Sequence, residues 1–384
     1  MGQLKGSGAQ ENRHISEQES HSRQDRQPSD SRVTTTASAP APDTTYEQLK
    51  NRLDKLVPDS GISAADLMNC KSFAPSVDRL IDLSLRRERP TFTEEDFKSE
   101  RSRVNDLNDK QAGVLMRAIA RFTVGERIVE NQLTPLIDFY NRDNTDGAAR
   151  VRALFIKIQQ AEEKIHADFF ADYVQHVFGN SGDEAQDRRR IQELKDKYFN
   201  TDDPFSRPFK NLFEGRLPRV LARLSAPQRW LPAAFRETAA LVCYHIFAEG
   251  VVAESAYFGF QKALTRPAAN PGNQPHELLP ITLKGIAMIK ADESTHIAFG
   301  ILRLRELIAG DSTTKASWTR GIMMRGLFVM NCLANMPSVI GIVGAVHREH
   351  PGKFPFELDR QQLAREGVKQ FWSRLKAVLF GPKS

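Results

Sequence analysis

Four scarcities frame this 384-residue chain. Alternating apolar and polar runs are nearly absent, as are Asn-Gly turns, which argues against a β-sheet architecture. Cysteine is limited to Cys70, Cys243 and Cys332, an odd, scattered trio without a CxxC. Neither a disulfide framework nor a thiolate zinc site follows; three buried thiols in a reducing cytoplasm are expected. No apolar segment follows Met1, so no secretory leader is read, and Gly6 stands where a myristoylation signal wants Ser or Thr. A dense stripe of one charge is also missing. The net charge is +6, and the basic runs at Arg188-Arg189-Arg190 and between Arg207 and Arg223 have acids nearby. No nucleic-acid partner is expected.

What is present is helical periodicity. Residues 1–45 are polar and nearly devoid of large apolar groups, so a disordered tail is expected, followed by one domain over 46–384. Short helices are predicted near 45–56 and 63–85, with Thr91 and Glu94 as a capping box. Four long helices are predicted near 105–140, 148–178, 232–263 and 279–309. A charged crossover over 179–231 joins the second to the third. Two more helices are expected near 315–347 and 359–379. The stretch Gly326 to Val346 carries no charge and is long enough to span a bilayer. Its Asn331, Asn335, Pro337, Gly341 and Gly344 point instead to a helix buried in a large bundle, with Pro337 as the place for a kink. Integral membrane insertion is not expected.

Two of the long patterns carry the same device, Glu163-Lys164-Ile165-His166 and Glu293-Ser294-Thr295-His296. A spacing of three puts carboxylate and imidazole on one face of a helix. The motif alone means little, since Glu11-Asn12-Arg13-His14 repeats it in the polar tail. Context separates them. One pair continues the stripe Phe155, Gln159, Glu163, His166, Phe170, Tyr173, and the other continues Ile286, Ile289, Glu293, His296, Gly300. Ionisable groups at core positions are unfavourable by several kcal/mol unless paired or bound to metal. Each remaining long helix adds one carboxylate. Glu126 interrupts the stripe Leu115, Ile119, Phe122, Val129, Leu133, whereas its rival Glu130 lies on a polar edge. Glu249 sits among apolar and small neighbours, with Glu254 as the rival. Four carboxylates and two neutral imidazoles balance two divalent ions, and O,N ligands without thiolate suit iron or manganese. The pattern is that of a dinuclear site in a four-helix bundle.

With these residues placed, the chain resembles the ribonucleotide reductase small-subunit superfamily. The segments that carry the likeness are Lys290 to Gly300, Tyr244 to Val251 with Glu254 to Phe260, and Val124-Gly125-Glu126 with Val129. Within that superfamily it is most similar to the small-subunit-like ligand-binding oxidases. The resemblance spans roughly residues 65–350. It implies an all-α ferritin-like bundle, a manganese–iron or di-iron centre held by Glu126, Glu163, His166, Glu249, Glu293 and His296, and dioxygen as oxidant. It also implies an ether crosslink between the Val129 β-carbon and the Tyr244 oxygen, a long-chain fatty-acid-like ligand, and a homodimer. Asp292, beside Glu293, is a candidate acceptor for a ligand histidine. The uncharged 326–346 helix could line the ligand channel or belong to the core. Other members of the superfamily remain as alternatives: a reductase small subunit, a fatty-acyl desaturase or hydroxylase, or a ferritin-like metal store. Phe170 stands where the usual reductase subunits carry a radical Tyr, and Phe380 to Ser384 offers neither a Tyr nor an acidic tail for an electron relay.

Overall fold

The structure is a computed structural model. It describes residues 46–381, apart from position 59, 143–145, most of 180–205, 226–231, 267–275, 310–314 and most of 350–358. The expected tail lies outside the described residues, as does much of the crossover.

Three helices form an N-terminal layer: α1 (Tyr46–Leu56), α2 (Ala64–Phe73) and α3 (Pro75–Arg86). The single helix predicted over 63–85 is thus two. Pro75 at the start of α3 has no N–H to continue the ladder of α2. Next comes α4 (Glu94–Asn105), whose capping box is Thr93 with Asp96, not Thr91 with Glu94. Thr93 Oγ1 accepts from the Asp96 backbone N–H, and Asp96 Oδ2 accepts from the Thr93 backbone N–H.

The bundle core is α5 (Asp109–Gln132), α7 (Gly147–Tyr173), α10 (Ala233–Leu264) and α11 (Pro280–Ala309). Pro135 ends the first predicted pattern early and starts a separate α6 (Thr134–Asn141). Between α7 and α10 the described crossover holds α8 (Ser206–Lys210), a π-helical turn and α9 (Leu217–Ser225). A two-residue antiparallel pairing, Thr265–Arg266 with His276–Glu277, joins α10 to α11 and is the one β ladder among the described residues. Buried Glu100 of α4 fixes the start of α11 by accepting bonds from Ile281 N at 3.1 Å and Thr282 N at 2.8 Å.

Helix direction follows from the two apolar clusters that fill the bundle. One contains Val129, Phe155, Tyr244 and Phe299; the other contains Ile119, Phe170, Tyr257 and Ile289. Along α5 and α11 the chain passes from the second cluster to the first. Along α7 and α10 it passes the other way. Each helix therefore carries its Glu, or its Glu and His, at the level between the clusters. This up-down-down-up order is that of a four-helix bundle with one long crossover, as the sequence predicted.

Two helices complete the chain, α12 (Lys315–Glu349) and α13 (Arg360–Phe380). Helix α12 runs on through Pro337. It is half-buried rather than buried: Met324, Phe328, Cys332 and Asn335 face the core, while Met330, Leu333 and Ile340 are exposed. Among the described residues the helix long and apolar enough to cross a membrane is not this one but α10, and 72% of its most apolar window is inside the bundle.

Candidate metal centre

Six side chains from four helices meet at the mid-level of the bundle. Glu126, Glu163, His166 and Glu293 bring one ligand atom each to within 4.8 Å of one another, and so do Glu163, Glu249, Glu293 and His296. Glu163 and Glu293 belong to both groups, and all six residues are buried. The rivals fall outside. Glu130 pairs with Arg127 at 2.7 Å, and Glu254 faces Lys290 at 3.9 Å.

The spacing fits ions rather than hydrogen bonds. His166 Nδ1 stands 3.5 Å from Glu163, 3.8 Å from Glu126 and 4.0 Å from Glu293. His296 Nδ1 stands 3.3 Å from Glu163, 3.5 Å from Glu293 and 3.7 Å from Glu249. Ligand atoms about 2.1 Å from a common ion lie about 3–4 Å apart. The orphans agree. His166 Nδ1, His296 Nδ1, Glu163 Oε2, Glu249 Oε2 and Glu293 Oε2 are buried without a hydrogen-bond partner. Five polar atoms left bare at one place are too unfavourable to be structural alone. The donor set of carboxylate and imidazole suits two hard or borderline divalent ions.

The outer ring nitrogens are held crosswise. His166 on α7 has Nε2 3.1 Å from Asp292 Oδ2 on α11, and His296 on α11 has Nε2 2.8 Å from Glu162 Oε2 on α7. Each carboxylate precedes the Glu of its own motif and serves the histidine of the other. Arg89 bonds both of them, and Arg87 adds a second contact to Asp292. Burial alone would raise the Asp292 carboxyl; its bond to His166 and the Arg89 charge outweigh this and hold it well below the usual range. With Nε2–H committed outward, each imidazole presents Nδ1 to the centre. The sequence suggested Asp292. It gave no sign of Glu162, Arg87 or Arg89.

Helix α10 carries its residues on a π-helical segment, Val242–Ala253. Tyr244 and Glu249 are five apart, about 140° around an α-helix. The wider π turn, with bonds from i to i+5, brings them close to one face. Gln159 of α7 reads both: its Nε2 lies 2.8 Å from the Tyr244 oxygen and 2.8 Å from Glu249 Oε1. The Tyr244 hydroxyl then donates to Glu163 Oε1 at 2.8 Å. On the other side Gln159 Oε1 faces His245 Nε2 at 3.2 Å. Burial first, then nearby His296, pushes His245 down to about 3, so it stays neutral. A second tyrosine, missed from the sequence, is Tyr257. Its hydroxyl lies 3.4 Å from both Glu126 Oε1 and Glu293 Oε1, two carboxylates of the ligand group that includes His166. Val129 is buried in the same apolar cluster as Tyr244.

Solved structures share this architecture. R2-like ligand-binding oxidase with aerobically reconstituted Mn/Fe cofactor superposes with a TM-score of 0.59 at 21% identity, over 79% of this chain and 93% of that one. A variant of that oxidase with anaerobically reconstituted Mn/Fe cofactor gives 0.58 at 22% identity, over 79% and 93%. A variant with an Fe/Fe cofactor gives 0.58 at 20%, over 79% and 92%. The fold is that of the R2-like oxidases. No family model matches the chain.

Proposed function

We propose that this R2-like protein is a dinuclear-metal oxidoreductase that uses dioxygen for two-electron oxidation. The observation that carries the reading is the set of five bare, buried carboxylate and imidazole atoms between four core helices. Glu126 and His166 would hold one ion, Glu249 and His296 the other, and the shared Glu163 and Glu293 would bridge them. A bound manganese–iron or di-iron pair supplies the redox equivalents that let dioxygen accept electrons. The surrounding apolar clusters exclude water from that chemistry.

The protein's own contribution centres on Tyr244 and Val129. Burial first, and then the Glu163, Glu249 and Glu293 charges, hold the Tyr244 phenol protonated. Its hydrogen bond to Glu163 Oε1 gives the proton somewhere to go. The Val129 β-carbon bears a tertiary C–H, weaker than a methyl C–H. Joining that carbon to the Tyr244 oxygen breaks one C–H and one O–H bond. Two protons and two electrons leave, and dioxygen takes the electrons. The further expectations of a long-chain fatty-acid-like ligand and a homodimer rest on the resemblance read from the sequence, which the shared fold supports; that of a cytoplasmic location rests on the three scattered cysteines alone.

Peptide mass spectrometry after aerobic loading with manganese and iron tests the reading. A linked pair of peptides containing Val129 and Tyr244, two hydrogens lighter than their sum, is expected, and Tyr244→Phe abolishes it. A loaded protein that holds two metals yet never forms this link disproves the crosslink. One that binds no metal disproves the whole proposal. Solvent extraction of the purified protein, followed by mass spectrometry, tests for a long-chain carboxylate.

A further inference from the structure

Helices α12 and α13 cover the same part of the bundle. Both pack on the π segment of α10 and on α11, and they touch each other. Their solvent faces therefore point to one side of the domain. On α12 that face carries Ile322, Met330, Leu333 and Ile340, spaced along one side of the helix, with Met330 64% and Leu333 58% exposed. On α13 it carries Trp372, 52% exposed, and Phe380, 77% exposed. Exposed apolar residues scattered singly need no explanation, but a row several turns long does.

Charge says what meets it. Within the bounds of α12 stand four Lys or Arg against one Glu, and within α13 five against one. Arg374 packs inward against Gly250, and Glu366 is the one acid among the described side chains of the two helices. Arg320, Arg325, Arg365, Lys369 and Lys376 are among the exposed cations. A second copy placed face to face would set these cations against their equivalents. Nucleic acid would leave the Ile, Leu and Met row without a partner. An acidic bilayer satisfies both: headgroups for the cations, acyl chains for the row, and the boundary between them for Trp372.

We propose that the outer face of α12 and α13 docks the protein onto an anionic lipid bilayer. The contact is peripheral, because Met324, Phe328 and Cys332 hold the inner side of α12 in the core. The inference does not depend on the metal centre. Should the ligand be long-chain and apolar, the bilayer is where such a molecule resides.

Vesicle flotation of the purified full chain is the test. Phosphatidylcholine vesicles with about one-third phosphatidylglycerol should carry the protein up the gradient, and pure phosphatidylcholine should not, with binding weakened by salt. Each exposed cation removed, as in Arg325→Ala or Lys369→Ala, lowers partitioning about fivefold. The double variant Met330→Asp with Leu333→Asp abolishes it. All four positions are exposed, and an unchanged far-UV spectrum and melting temperature establish that the variants fold. Glu163→Ala, which disables the metal centre, floats like the parent and so separates this inference from the proposed oxidase. Equal binding to neutral and anionic vesicles, or none to either, overturns it. So does a solution dimer that the Met330 and Leu333 changes convert to monomer, since the face is then covered by a second copy.

Discussion

Asp292 on one helix of the site holds His166 on the opposite helix, Oδ2 to Nε2 at 3.1 Å, and Arg89 bonds the back of the same carboxylate. Glu162 holds His296 in the mirrored way, and Arg89 reaches it too. One guanidinium outside the bundle thus steadies both imidazoles. Asp292→Asn should weaken the ion at the His166 side by about 10–100-fold and the other ion much less. Arg89→Met should weaken both. Titration with Mn(II) or Fe(II) reads the two steps, and equal losses at both positions in Asp292→Asn would refute the assignment.

The shared carboxylates set a second expectation. Glu163 and Glu293 enter both groups of ligand atoms, whereas Glu126 enters one. Glu126→Ala should retain one metal per chain, and Glu163→Ala should lose the pair. Elemental analysis of purified, reloaded protein gives the count. Two metals at full occupancy in Glu163→Ala would exclude it from the site.

The two ExxH pairs and the lone Glu126 and Glu249 were legible because a carboxylate in an apolar stripe breaks a helical period that can be followed by eye. The structure brings all six together. Their supports were not legible, for physical reasons. Arg87 and Arg89 come from a non-periodic link between α3 and α4, so no spacing ties Arg87 to Asp292, 205 positions away, or Arg89 to Glu162 and Asp292, 73 and 203 positions away. Glu162 reads as one of two adjacent acids on an otherwise ordinary helix. Tyr257 lies eight residues after Glu249, and the π segment between them shifts the angular register, so the usual α period misplaces it. For the same reason no α period ties Tyr244 to Glu249, and only the family resemblance points to it. The sequence predicts α12 as buried because composition reports how apolar a helix is, not which of its faces lacks a partner.

Gln159 offers a test of positioning rather than ligation. It bonds the Tyr244 oxygen, Glu249 Oε1 and His245. Gln159→Leu keeps the volume and strips these partners, which should destabilise the fold by about 1–3 kcal/mol. It should also lower the yield of the proposed Val129–Tyr244 link while both metals still bind. Denaturant unfolding and peptide mass spectrometry measure the two effects. An undiminished yield would show that Gln159 does not orient the phenol.

The acid groups of the centre give the metal-free protein an unusual pH response. Burial, then repulsion by Glu249 and Glu163, pushes Glu293 up to about 8. Burial pushes Glu249 up to about 7. Both exceed the ordinary 4.5, so these two carboxylates bind more protons in the folded metal-free protein than in the unfolded chain between about pH 4.5 and 8, and they outnumber the buried His245, which acts the other way below its ordinary 6.5. Stability is then greatest at the acidic end of that window and falls as pH rises. His166 and His296 act with the same sign: burial opposes their charge, but the surrounding carboxylates overcome it and hold both above 6.5. Bound divalent ions replace those protons, so the dependence should flatten once the centre is filled, and metal affinity should rise with pH as proton competition fades. Melting temperatures of the metal-free and Mn(II)-loaded protein from about pH 5 to about pH 8 compare the two slopes directly. Parallel curves would mean that the buried carboxylates are not where the ions bind.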